Sequence, residues 1–351
     1  MKPRLFLVPG IVWTAALALL AACILLWPSV GQAADTGSTL GEQATAMQRA
    51  QRAVLGVRAV AVDEARSART LGRARSGSGV LISQDGLVLT IGYLVLEAEQ
   101  VQLLRDDGRP VPARVLSYDV ATGFGLLQAL APLGLEPAPL GRADRLTLQA
   151  PLMVASGGDD GAVSVAQLVA RRAFSGYWEY HIDGALFTAP PRPDHSGAGL
   201  FNAAGELVGI GSLLVADVAD GGNGAPRRSG NMFVPVDLLS PILAEMRQVG
   251  FGAASQRAWL GLNCAEQDGR IRVLRVSDDS PADVAGLEAG DRILRIDGVE
   301  VQTLAALWRT LWTGGAPERE VSLLIERADQ QQTLKVYSVD RMKTLRRSQG
   351  I

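Results

Sequence analysis

Short runs of β-formers recur along this chain, separated by tight-turn dipeptides. Val80-Leu81-Ile82, Leu87-Val88-Leu89-Thr90, Val101-Gln102-Leu103-Leu104 and Ala113-Arg114-Val115-Leu116 are divided by Asp85-Gly86 and by Asp106-Asp107-Gly108. Asp-Gly supplies the positive φ angles of a hairpin turn, and short strands at regular spacing make an all-β sandwich or barrel. The same texture continues to Val236. The Gly-rich stretch 217–230 reads as a surface loop, 237–246 as a helix and 250–256 as a small, polar linker. From Trp259 a second, smaller unit begins. Strands are expected at 271–276 and 293–296, short helices at 281–285 and 304–311, and a hairpin over 321–326 and 333–339.

Length and composition agree with two units. The chain has 351 residues, 48% hydrophobic and 20% charged. That is enough apolar material for real cores, and it excludes a disordered or fibrous chain. The 34 Lys and Arg against 36 Asp and Glu leave a net charge of −2, which argues against a nucleic-acid binder. The two cysteines are Cys23, in the N-terminal apolar run, and Cys264, so the folded part has no internal disulfide and no cysteine metal site.

Lys2 and Arg4 precede an uncharged run from Leu5 to Trp27, followed by Ala33-Ala34 and Asp35. A basic start before about 23 apolar residues is long enough to cross a bilayer. The readings are an uncleaved inner-membrane anchor, a cleaved signal peptide, or a lipid-attachment box ending at Cys23. In each, the bulk of the chain lies outside the cytoplasm. The divisions expected are 1–34 signal segment, 35–53 linker or short helix, 54–248 β-barrel unit, 249–257 linker, 258–340 second unit and 341–351 a solvated basic tail.

The second unit resembles a PDZ domain. Trp259-Leu260-Gly261-Leu262 resembles its carboxylate-binding loop. Ser280-Pro281-Ala282, Ala285-Gly286-Leu287, Ala289-Gly290-Asp291, Ile293-Leu294 and Ile296-Asp297-Gly298 follow the order and spacing of bacterial PDZ domains. The resemblance implies β-augmentation, in which a peptide adds a strand to a sheet edge and its terminal carboxylate rests on loop N–H groups.

The first unit then resembles the trypsin-like double β-barrel of HtrA/Deg-type serine proteases. Gly77-Ser78-Gly79-Val80, Leu89-Thr90, Asp107-Gly108-Arg109, Leu126-Leu127, Ser196-Gly197, Leu200-Phe201-Asn202, 205–210 and Phe233-Val234-Pro235-Val236-Asp237 carry this likeness. It implies a Ser–His–Asp triad with an oxyanion site. Position by position, Ser196 stands at the nucleophile, Tyr93 at the histidine and Gly123 at the aspartate. A tyrosine with an ordinary pKa near 10 is a poor base, glycine has no side chain, and a serine without a base is a weak nucleophile. Asp194 replaces the glycine two residues before the serine.

The chain is therefore expected to be a catalytically degenerate HtrA-like protein. It would bind polypeptide C-termini or a partner envelope protein through its PDZ groove and old protease cleft, with no cofactor and no nucleic acid. Family resemblance adds a homotrimer. One alternative is an active endopeptidase using Ser196 with a rearranged base. Another is a metal-binding barrel using His181, His195 and Asp194, since imidazole and carboxylate suit zinc, copper or iron. An apolar C-terminus at Ile351 also allows self-recognition by the PDZ groove.

Overall fold

The computed structural model describes residues 40–158, 160–218 and 228–346. The N-terminal signal segment, the centre of the Gly-rich stretch and the C-terminal Ile351 fall outside the described residues. Among the described residues no helix is long and apolar enough to cross a membrane.

Helix α1 (Leu40–Arg52) leads into the first barrel, burying Met47 and Ala50 against it. The first barrel uses β1 (Val54–Ala61), β2 (Ala74–Leu81), β3 (Leu87–Ile91), β4 (Ala98–Leu104), β5 (Pro110–Tyr118) and β6 (Phe124–Ala129). The strands close in the order β1-β2-β3-β6-β5-β4. The second barrel uses β7 (Pro151–Ala155), β8 (Val163–Gly176), β9 (Tyr180–Ala189), β10 (Gly199–Phe201), β11 (Leu207–Val215) and β12 (Gly230–Pro235), in the order β10-β11-β12-β9-β8-β7. Closure pairs the edges that would otherwise invite aggregation.

β4 shows the alternation of a barrel strand: Val101 and Leu103 point in and Gln102 points out. β3 is buried along its whole length because its outer face lies against β11 of the second barrel. Phe124, Phe187 and Phe201 are fully buried in a single apolar core that spans both barrels. Two small helices complete the first barrel, α2 (Ala68–Leu71) and α3 (Gly92–Val95).

The helix expected over 237–246 is broken. Residues 236–238 form a 3-10 turn and α4 runs from Leu243 to Gln248. Pro241 explains the break, since proline lacks the N–H and disfavours helix at the residue before it. The 250–256 segment is tied down rather than free: the Asp119 carboxylate accepts from the Gly252 N–H at 2.9 Å and from the buried Ser255 hydroxyl at 2.5 Å.

The C-terminal unit holds β13 (Ala258–Trp259), β14 (Leu262–Gln267), β15 (Arg270–Val276), β16 (Arg292–Ile296), β17 (Val299–Glu300), β18 (Glu320–Arg327), β19 (Gln330–Tyr337) and β20 (Val339–Asp340). Helix α5 (Pro281–Val284) starts with Ser280 accepting from the Asp283 N–H and proline in its first turn. Helix α6 (Leu304–Thr313) starts with Thr303 accepting from the Ala306 N–H, and buries Leu304, Leu307, Trp308 and Leu311. That spacing is one helical stripe, and it packs on Ile271, Ile293, Leu323 and Ile325 of the sheet.

The basic tail is not simply solvated. Arg341 lies over the Trp259 ring, Lys343 pairs with Glu318, and the Arg346 N–H donates to Glu97. Arg257 joins the two units: its guanidinium lies 3.8 Å over the Trp312 ring and donates to the Val120 carbonyl at 3.0 Å.

Candidate functional site

Tyr93 and Ser196, two of the three positions likened in the sequence to a catalytic triad, meet at the seam between the barrels. α3 follows β3 and brings Tyr93 to Ser196, which lies in the turn before β10; the phenolic oxygen and Ser196 Oγ are 2.8 Å apart. The same phenol donates to the Ser212 carbonyl at 2.8 Å. A carbonyl can only accept, so the single phenolic proton goes to Ser212 and Ser196 donates to the phenolic oxygen. Burial pushes the Tyr93 pKa up to about 12, against the smaller opposing effect of the Ser196 hydrogen bond. At pH 7 about one Tyr93 in 100,000 is ionised. The group beside Ser196 is thus a neutral phenol.

Gly123 carries no acid to this pair. Its φ is +84°, a conformation that side chains rarely adopt, and its carbonyl accepts from the Gly92 N–H at 2.7 Å. A Cβ at this position would lie 3.1 Å from the Tyr180 hydroxyl, which itself donates to the Thr122 carbonyl at 2.7 Å. The nearby Asp119 does not substitute. One of its oxygens accepts from Thr122 and the other from Gly252 and Ser255.

The turn that holds Ser196 is fixed from several sides. The Ser196 carbonyl accepts from the Ser78 N–H, and the His195 carbonyl accepts from the Ala198 N–H. Asp194 is paired with the buried Arg192 and accepts from Ser156. Burial pushes the Asp194 carboxyl up, but the Arg192 and Ser156 contacts outweigh it and hold the pKa below the usual value.

The two histidines do not reach this seam pair. His195 Nδ1 lies 3.0 Å from the Arg192 carbonyl oxygen. His181 Nδ1 lies 2.8 Å from Ser175 Oγ, and its Nε2 is 3.4 Å from Asp183, whose carboxylate is paired with Arg309. Burial, and then Arg309, lower the His181 pKa, so the ring stays neutral at physiological pH. Among the described residues no three His, Cys, Asp or Glu side chains gather as a metal set. His181, with Ser175 and Asp183, and His195, with the Arg192 carbonyl, thus have separate partners.

The 260–262 loop, expected from the sequence to hold a carboxylate, has a side-chain carboxylate of the same chain on its N–H groups. The Glu179 carboxylate, from the turn between β8 and β9, accepts the Leu260 N–H at 3.1 Å, the Gly261 N–H at 2.6 Å and the Leu262 N–H at 2.8 Å. Gly261 has φ +90°, and a Cβ there would fall 2.2 Å from Ser280 Cβ. Glycine is what lets three successive N–H groups converge. Trp259, the first residue of the motif, takes no part in this bonding and instead pairs with Val339. Glu179 is 8% exposed. Desolvation pushes its carboxyl up, against the three N–H donors that favour the charged form. Glu179 carried no signal in the sequence, where it stands as an ordinary polar residue between Trp178 and Tyr180.

Two closed barrels, a serine at their seam and a sheet with a carboxylate loop define a trypsin-like peptidase fold joined to a PDZ domain. Residues 77–210 match the trypsin-like peptidase domain and residues 258–337 match the PDZ domain. Over these two modules the chain is similar to HtrA/DegP-type serine proteases. A periplasmic DegP-like serine endoprotease of Hahella chejuensis is 27% identical over 245 residues, covering 64% of this chain and 49% of that protein. Its counterpart in Pseudomonas fulva is 28% identical over 281 residues, covering 74% and 55%. The chain spans about half the length of these curated relatives. The HtrA-type protease AlgW, solved with a decapeptide, aligns over 85% of this chain and 98% of its own, with a TM-score of 0.53 and 21% identity. That level of identity speaks to the fold alone.

Proposed function

We propose that this chain is a non-catalytic HtrA-like protein of the periplasm that binds polypeptides through its PDZ groove and the old protease cleft. The observation that carries the reading is the phenol of Tyr93 on Ser196. A neutral hydroxyl with a pKa of about 12 stands where the chemistry needs a base, and Gly123 offers no carboxylate behind it. The PDZ loop retains three convergent N–H donors suited to a carboxylate. The relatives are named periplasmic, and the basic, apolar N-terminus suits export. An inner-membrane anchor and a homotrimer belong to the same reading.

The test is incubation of the full chain with fluorescein-labelled casein, an unfolded polypeptide. The expected result is binding seen by anisotropy, with no fragments after prolonged incubation. Fragments that disappear in Ser196→Ala would establish an active endopeptidase and overturn the non-catalytic reading.

A further inference from the structure

The turn between β8 and β9 docks on the C-terminal unit as a ligand docks on a PDZ groove. Trp178 stands opposite Asn263 of β14 in an antiparallel bridge. The Cys264 N–H donates to the Tyr177 carbonyl at 2.7 Å. Glu179 then sits on the N–H groups of Leu260, Gly261 and Leu262. Cys264 is two residues beyond Leu262, and Tyr177 is two residues before Glu179. The turn therefore holds the register of an added antiparallel strand whose last residue is number 179.

A true C-terminus would end there. This chain continues, and Glu179 has φ +38°, which turns the main chain out of the groove while its side chain supplies the carboxylate. The other wall of the groove also grips the turn. Trp308 of α6 donates its indole N–H to the Gly176 carbonyl at 3.0 Å, and Arg309 pairs with Asp183. Trp178 stacks on Tyr180 with ring centroids 5.7 Å apart and planes 9° apart. A buried carboxylate is costly unless hydrogen bonds satisfy it, and here all three loop donors are committed to it.

We propose that the Gly176–Glu179 turn is an internal ligand of the PDZ groove, with the Glu179 carboxylate in the place of a polypeptide C-terminus, so that an incoming C-terminus binds only by displacing it. This rests on the reading of the groove as a polypeptide site and specifies its regulation. A tethered ligand acts at a high local concentration, and an external one meets an affinity reduced by the fraction of open molecules. With the groove open in about a tenth of molecules or fewer, release of the turn raises apparent affinity about tenfold or more.

The first test needs no ligand. Hydrogen exchange on the full chain should show slow amides at Leu260, Gly261, Leu262 and Cys264, becoming fast in Glu179→Ala while Ile293 and Ile325 stay protected. Equal exchange of the loop amides in both proteins would overturn the internal ligand. The second test uses a fluorescein-labelled peptide with the sequence of residues 173–179 and a free C-terminus. It should bind Glu179→Ala about tenfold or more tighter than the unaltered chain; equal affinities would overturn the proposal. Fast loop amides with no peptide binding in Glu179→Ala would instead count against the polypeptide reading, leaving the internal contact in place.

A lock guards against a variant that folds poorly. Trp178→Cys with Asn263→Cys places thiols on facing residues of an antiparallel pair, a separation that a disulfide spans. The oxidised form should not bind the peptide and the reduced form should. Equal binding before and after reduction would overturn the proposal.

Discussion

Replacing Tyr93 with phenylalanine separates a structural phenol from a catalytic one. The substitution removes one oxygen and two hydrogen bonds, to the Ser212 carbonyl and from Ser196 Oγ, each 2.8 Å long. Ser212 is buried and lies at the register shift between Gly211 and Leu213, where β11 slips against β12 and skips a ladder partner. Its carbonyl would lose the phenol as donor, while the half-buried Ser196 hydroxyl can turn to water. An unsatisfied buried acceptor costs about 1–3 kcal/mol. At about 2–4 °C per kcal/mol for a unit of this size, a central cost of about 2 kcal/mol lowers the barrel transition by about 4–8 °C. Calorimetry on the full chain would read it, with the two units resolved as separate transitions where they uncouple. Fluorophosphonate labelling of Ser196 should be at baseline in both proteins. An unchanged Tm would refute the structural role given to the phenol. Labelling present in the parent and lost in Tyr93→Phe would show that Tyr93 activates the serine.

Further outcomes follow from the same geometry. Tyr93→His combined with Gly123→Asp should not restore peptide hydrolysis, because position 123 sits at φ +84° with the Tyr180 hydroxyl in the way; the aspartate adds about 1–2 kcal/mol of backbone strain. Casein cleavage and a melting curve check both parts. Asp194→Asn strips the charge that pairs with buried Arg192 and should cost about 1–3 kcal/mol in barrel stability, read by urea titration. In the PDZ unit, burial pushes the Asp291 carboxyl up, but Arg327 and the Glu288 N–H outweigh it and hold its pKa below the usual range. A depressed carboxylate pKa gives stability that is complete above about pH 4 and lost as pH falls through the folded-state value. Asp291→Asn should flatten that acid-side decline in PDZ melting temperature between pH 5 and pH 2.

Local chemistry made much of the architecture legible. Asp85-Gly86 does close the turn between β2 and β3, and the helices expected from 281 and from 304 do start there. The positions of Tyr93 and Ser196 could be paired because flanking strand motifs set their register. The broken helix around Pro241 was legible in principle, since the proline itself marks the break. What the sequence hides is contact between distant segments. Residues 250–256 read as a linker because they are small and polar, yet Asp119 binds them across the fold. The tail reads as solvated because it is basic, yet Arg341 finds Trp259. Glu179 is the sharpest case. A turn glutamate ordinarily faces water, and only the apposition of two domains turns it into a buried ligand for a nest of N–H groups.

The central claim is that Ser196 lacks an activating base, and the most direct measurement is its rate of reaction with a fluorophosphonate probe from pH 6 to pH 10. With a neutral phenol of pKa about 12 beside it, the full chain should label no faster than Ser196→Ala across that range. Labelling well above that control, rising through a single titration and absent in Ser196→Ala, would contradict the account and restore this chain to the active proteases.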